Sequence, residues 1–153
     1  MRLQIAARGV LAASLLWTLV AMQAMAAPLS LGEAVRVHDA WPYVRVLSDP
    51  ERRIGADEAL QRLAEFKPPT SPHAGMGFRN DALWFHLPVA VPADSDGRWV
   101  LEIDYALLNR VEVFVARGGH AEHAATMGSL LPFRDRPLGS RTPAVMLDFP
   151  RGE

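Results

Sequence analysis

The sequence predicts an all-β domain, an antiparallel sandwich or jelly roll that carries one short peripheral helix. Three observations lead there. Apolar residues alternate with a period of two from Leu83 to Val91 and again from Trp99 to Tyr105, the spacing of half-buried strands. Clusters of Pro, Gly, Asp and Ser separate such runs, as at Pro92-Ala93-Asp94-Ser95-Asp96-Gly97. The chain also holds 12 prolines and 11 glycines, many for a helical bundle and suited to a loop-rich β body. Its 153 residues are one domain's worth, since domains usually run to roughly 100–150 residues.

Composition narrows the function classes. Half of the residues are hydrophobic and 22% are charged, at a mean hydropathy of +0.05, which is too apolar for a disordered chain. Sixteen basic residues against seventeen acidic ones leave −1, so no basic surplus points to nucleic acid. There is no cysteine, which excludes disulfide scaffolds, cysteine-ligated zinc, iron–sulfur clusters and thiol nucleophiles.

The N-terminus has the three parts of a secretory signal peptide. Arg2 and Arg8 precede an apolar run from Gly9 to Met22, and Ala24-Met25-Ala26 supplies the small-residue cleavage site. A membrane anchor is the rival reading, but a spanning helix needs ~20 apolar residues and this run has about fourteen, within the h-region range. Cleavage is expected after Ala26. Two of the 16 basic residues and none of the 17 acidic ones precede Ala27, so the exported part carries −3.

Within residues 27–153, Val35, Val37, Trp41, Tyr43, Val44, Val46 and Leu47 form an imperfect strand pattern, which Pro42 confines to an edge or a start. Ser48-Asp49-Pro50-Glu51 reads as a turn, with Asp49 able to hydrogen-bond its own backbone. The one helix is Gly55–Phe66: Ala56, Ala59, Leu60, Leu63 and Phe66 form a stripe, Asp57 and Glu58 complement the dipole, and Pro68-Pro69 stop it. A Pro/Gly-rich loop follows from Thr70 to Asp81.

In the next run Leu83, Phe85, Leu87, Val89 and Val91 fall on one strand face, with Trp84 and His86 on the other. Pro92–Gly97 then offers hairpin-type turn chemistry. Trp99, Leu101, Ile103 and Tyr105 oppose Val100, Glu102 and Asp104 on the following strand. A third strand places Val111, Val113 and Val115 opposite Glu112 and Phe114, and ends at Arg117-Gly118-Gly119. Weaker strands are expected near Ala121–Met127 and Ala144–Phe149. Pro150-Arg151-Gly152-Glu153 reads as a turn leading to a further strand, so the domain is expected to lack its final strands.

The chemistry-bearing residues are sparse. His120, Glu122 and His123 could suggest a metal, but Gly118-Gly119 imply a loop and no third strong ligand accompanies them, so solvated histidines are the simpler reading. Glu102 and Asp104 share a strand face, either as a glycosidase pair that needs the right separation across a cleft or simply as solvent-side groups. No serine sits in a G-x-S-x-G elbow, and Gly75-Met76-Gly77 lacks the strand-then-helix setting of a phosphate loop. No cofactor and no catalytic set is indicated. If the two clearest strands are neighbours, Trp84, His86, Glu102 and Asp104 share one outward face, combining a stacking surface with polar groups for a small molecule or sugar.

These segments taken together resemble a bacterial receptor family. Leu83-Trp84-Phe85-His86-Leu87, Arg98-Trp99-Val100-Leu101-Glu102-Ile103-Asp104-Tyr105 and Leu107-Leu108-Asn109-Arg110-Val111-Glu112-Val113-Phe114 are similar to the type-2 extracellular domain of seven-transmembrane receptors with diverse intracellular signalling modules (7TMR-DISM). Leu47-Ser48-Asp49-Pro50, Met76-Gly77-Phe78, Gly128-Ser129-Leu130-Leu131-Pro132-Phe133, Arg136-Pro137 and Phe149-Pro150-Arg151-Gly152-Glu153 fit the same order. The resemblance runs from about Leu31 to the end. It implies a jelly roll similar to carbohydrate-binding modules, facing the periplasm ahead of seven membrane helices and a diguanylate cyclase or histidine kinase output. His86 departs from it, standing where an arginine is expected. The expectation is a non-enzymatic, exported sensor of an unidentified small molecule or carbohydrate, partnered by the membrane part of its receptor. The alternative is a free secreted carbohydrate-binding module.

Overall fold

The computed structural model describes residues 27–73 and 75–152, and the expected signal segment lies outside them. The regular structure of the described residues is mostly strand, with a single short α-helix among them, so the all-β expectation holds. In order the elements are β1 (Leu29–Ser30), β2 (Arg45–Asp49), α1 (Ala56–Gln61), β3 (Ala82–His86), β4 (Val89–Ala90), β5 (Arg98–Glu102), β6 (Val111–Arg117), β7 (His120–Met127) and β8 (Ala144–Asp148). They pair as four two-stranded ladders: β1 with β4 in parallel, and β2 with β3, β5 with β8 and β6 with β7 antiparallel.

Three apolar clusters join the ladders. Val113, Ala125, Met127 and Val145 are buried together, with Leu101, Ile103, Val111 and Leu147 packed around them. The β5–β8 and β6–β7 ladders therefore meet face to face, each contributing alternate residues. Leu29, Leu31 and Val91 form a second cluster that reaches Trp99 and Phe149, and Leu47, Ala59 and Phe66 a third that includes Leu63 and Trp84.

Several expectations need correction. The run Leu83–Val91 is two strands, not one. Leu87-Pro88 interrupts it, because proline has no N–H for a ladder, and the Pro88 carbonyl instead accepts from Leu29 N at 2.9 Å. The two halves therefore take independent faces. Trp84 lies opposite Leu47 in the ladder and shares its buried side, while Phe85, opposite Val46, is 49% exposed. The face assignment in β3 is thus reversed.

The helix is also shorter than its stripe. The α-helical part stops at Gln61, Arg62 adopts φ −104 and ψ 19, and Leu63–Glu65 continue as a 3-10 turn that delivers Phe66 to the core. Trp41–Tyr43 form another 3-10 turn rather than a strand start, and β2 extends through Ser48 and Asp49. Pro92–Gly97 is a turn, but the strands it connects do not pair with each other. Ala121–Met127 and Ala144–Phe149 are strands as expected, within one residue at the ends.

Candidate functional site

The site is built from the β6–β7 hairpin and β8. Gly118 and Gly119, at φ 56 and 83, make a two-residue turn between the paired Arg117 and His120, the left-handed geometry that matches the natural twist of a hairpin. Further along, Val113 faces Ala125 but Phe114 faces His123, so Ala124 is an extra residue and the ladder bulges there. Beyond the shared core, the hairpin and β8 bound an open groove of about 190 Å³ lined by Val115, Arg117, Glu122, His123, Ala124, Met146, Leu147 and Asp148.

Apolar and charged groups alternate around that groove. Arg117 donates to the Asp148 carbonyl at 2.8 Å and lies 5.8 Å from the Phe149 ring centroid, which fixes its cation at one end. The Asp148 carboxylate is 3.7 Å from Arg98. His123 lies 3.0 Å from the Thr126 hydroxyl and meets the Phe114 ring edge-on at 5.3 Å. The Glu122 carboxylate has no hydrogen-bond or ion-pair partner among the described residues. Such a mixture of apolar floor and few polar groups is what a recognition site needs. A second cavity, under residues 136–144, holds only about 10 Å³, room for one water.

The four residues expected to share one face do not do so, because β3 and β5 belong to different ladders. Trp84 packs in the α1 cluster, 5.8 Å from the Phe114 ring, and its side chain hydrogen-bonds Asp49. His86 meets the Phe66 ring at 5.9 Å. Burial, then the neighbouring Arg45 charge, push its imidazole below the usual pKa of 6.5. Glu102 is exposed and accepts from the Thr142 hydroxyl; Asp104 is exposed in the turn after β5.

His120 and His123 are on β7 rather than in a loop, and three residues apart on a strand they point to opposite sides. His120 lies 4.0 Å from Asp57 of α1, whose carboxylate also accepts from Ala121 N at 2.9 Å. Among the described residues no three His, Cys, Asp or Glu come together as metal ligands do. Sequence reasoning missed the groove. The glycine pair flanked by alternating residues was a sufficient signal for the hairpin, but β8 reaches it only through pairing with β5, some 46 positions away at Val100↔Met146.

A strand-rich body presenting an open groove is the build of a recognition domain. Residues 41–153 match the family described as 7TMR-DISM extracellular 2, and the chain belongs to that family of receptor extracellular domains. No curated protein matches the chain.

Proposed function

We propose that this chain is the ligand-sensing, non-enzymatic periplasmic part of a bacterial membrane receptor, exported by residues 1–26 and recognising a small molecule or carbohydrate in the β6–β7/β8 groove. The observation that carries this is the groove itself: an apolar floor beside the unpaired Glu122 carboxylate, within a receptor extracellular family. The face-to-face packing of β5–β8 on β6–β7 supports the finer jelly-roll reading. A bound ligand would bias the domain between two arrangements relative to its membrane part, and only differential affinity can drive that shift. In a thermal-shift screen of sugars, organic acids and amines, a true ligand raises the melting temperature of the wild type. Glu122→Gln or Met146→Ala weakens it by about tenfold. A ligand indifferent to both substitutions overturns the assignment of the groove.

A second reading, a free secreted carbohydrate-binding module that uses a different surface, is favoured by one observation. Trp41 and Phe85 lie 6.4 Å apart, the Trp41 indole N–H is fixed by the Ser71 carbonyl at 3.1 Å, and Phe85 is half exposed. That pair, rather than Trp84, offers sugar-stacking surface. Glycan-array binding abolished by Phe85→Ala supports it; binding unaffected by that change disposes of it.

A further inference from the structure

We infer that the outward face of β2 and β3 takes a uronate residue of an acidic polysaccharide, its ring against Phe85 and Trp41 and its carboxylate paired with Lys67. This rests on the Trp41–Phe85 surface being a sugar platform and names the class of sugar it takes.

Backbone pairing brings the three groups together. Val46 N donates to the Lys67 carbonyl at 2.8 Å and Lys67 N to the Val46 carbonyl at 3.0 Å, so these two residues exchange both bonds. Val46 in turn lies opposite Phe85 in the β2–β3 ladder. Residues directly opposite in antiparallel strands project from one face, and Lys67, Val46 and Phe85 therefore form a single cross-strand row. Alternation gives the same direction, because their chain neighbours Phe66, Leu47 and Trp84 all turn inward to the α1 cluster. Trp41 borders the row, its ring 6.4 Å from Phe85 and its indole N–H held by the Ser71 carbonyl.

Lys67 is the only lysine of the sequence, is exposed, and has no side-chain hydrogen bond or ion pair among the described residues. The charged groups around it are occupied with one another. Arg62 holds Glu65 at 2.9 and 2.7 Å, and Arg79 holds Asp81 at 2.7 and 2.6 Å. Arg45 and His86 form the next pair along the ladder and so face the opposite side. Asp39, at the Trp41 border, accepts from Trp41 N at 3.0 Å. An incoming carboxylate thus meets a cation at Lys67 and a like charge beside Trp41, which sets its direction.

The aromatic rings offer a flat apolar surface to the C–H face of a sugar. Phe85 is half exposed and Lys67 exposed, so this face covers only one side of its ligand. A lone small molecule is normally enclosed, whereas one residue of a polymer is held with its neighbours and needs one side only.

The test is isothermal titration of the 153-residue chain with trimers of galacturonate and of mannuronate, each beside its methyl ester, which keeps the ring and removes the charge. At low salt an acid trimer is expected to bind roughly three- to fivefold tighter than its ester, the worth of an exposed ion pair. High salt erases the difference. Lys67→Gln removes the preference while ester binding persists, which a misfolded variant could not show, and Lys67→Arg retains it. Phe85→Ala weakens acid and ester alike, by about tenfold. Acetylation by an N-hydroxysuccinimide ester, read by mass spectrometry at Lys67, is slowed by the acid trimer and not by its ester. Equal binding of acid and ester, or a preference that survives Lys67→Gln, overturns the inference. If neutral glycans bind through Phe85 and neither uronate does, acid selectivity fails and the platform stands. If dextran sulfate binds as well as the trimers and Phe85→Ala changes nothing, charge alone is responsible and the inference fails. If no glycan of any charge binds, platform and selectivity fail together.

Discussion

At the scale of single residues, Asp49 shows how a buried carboxylate is kept charged. Only 3% exposed, it suffers desolvation that raises its pKa, yet the backbone N–H groups of Ile54, Arg53 and Arg52 and the Trp84 side chain together hold it below its usual value. The turn-forming role of Asp49 was legible, because an Asp before Pro commonly bonds its own backbone. Its fourth partner was not, since Trp84 reaches it only through the β2–β3 register. Trp84→Ala should therefore cost roughly 3 kcal/mol in urea unfolding, mostly from lost packing. Trp84→Phe should keep much of the packing but move the acid-unfolding midpoint upward, by removing one donor to Asp49. His86 gives a second pH effect. Its folded pKa is depressed, so above about 6.5 both states are neutral and nothing is lost; as pH falls below that value the unfolded chain takes up a proton that the folded chain resists. Melting temperature should fall between about pH 7 and pH 5, and His86→Leu should flatten that slope.

At the scale of elements, what the sequence made legible depended on whether one face of an element is wet. In β5 the inward Trp99 and Leu101 and the outward Arg98, Val100 and Glu102 keep strict alternation, so the strand was legible, but it ends at Glu102 instead of running on to Tyr105, which is exposed. In β3 both faces touch something, Trp84 inside and Phe85 beside Trp41, so alternation carried no sign of direction. The helix stripe was genuine, but Arg62 ends the α-helical turns and its guanidinium bridges Glu58 at 3.1 Å and Glu65 at 2.7 Å across the break. Backbone geometry at glycines yields sharper predictions. Gly118→Asn should be neutral in thermal melts and Gly119→Val should lower stability by at least ~1 kcal/mol, since a left-handed pair accepts Asn-Gly but not a β-branched residue. Gly128, at φ 126, has no room for a Cβ against the Asn109 carbonyl. Gly128→Ala should therefore disrupt the paired loops, read as loss of the Ser129–Leu108 bond by hydrogen exchange.

At the scale of the whole molecule, the long-range pairings were the illegible part. Nothing local joins Leu29 to Val89, or Val100 to Met146. Those pairings are set by burial of residues such as Met127, 1% exposed, in a cluster fed by both larger ladders. Met127→Ala should cost about 2–5 kcal/mol and still unfold in one transition, because the cluster is common to β5–β8 and β6–β7. The export reading is tested separately: mass spectrometry of protein recovered from the periplasm should find Ala27 as the first residue.

The hydrogen bonds of Leu31 N to the Ala90 carbonyl and Gly152 N to the Val91 carbonyl, at 2.9 and 2.7 Å, fall on consecutive acceptors. Both ends of the described chain are thereby stitched to one spot beside β4. A short glycine linker should suffice to join them, and the polypeptide can then be reopened at Gly118-Gly119, where the tight turn makes no core contact. Such a circular permutant should retain the native β spectrum and carry its new ends beside Arg117 and His120 at the tip of the β6–β7 hairpin.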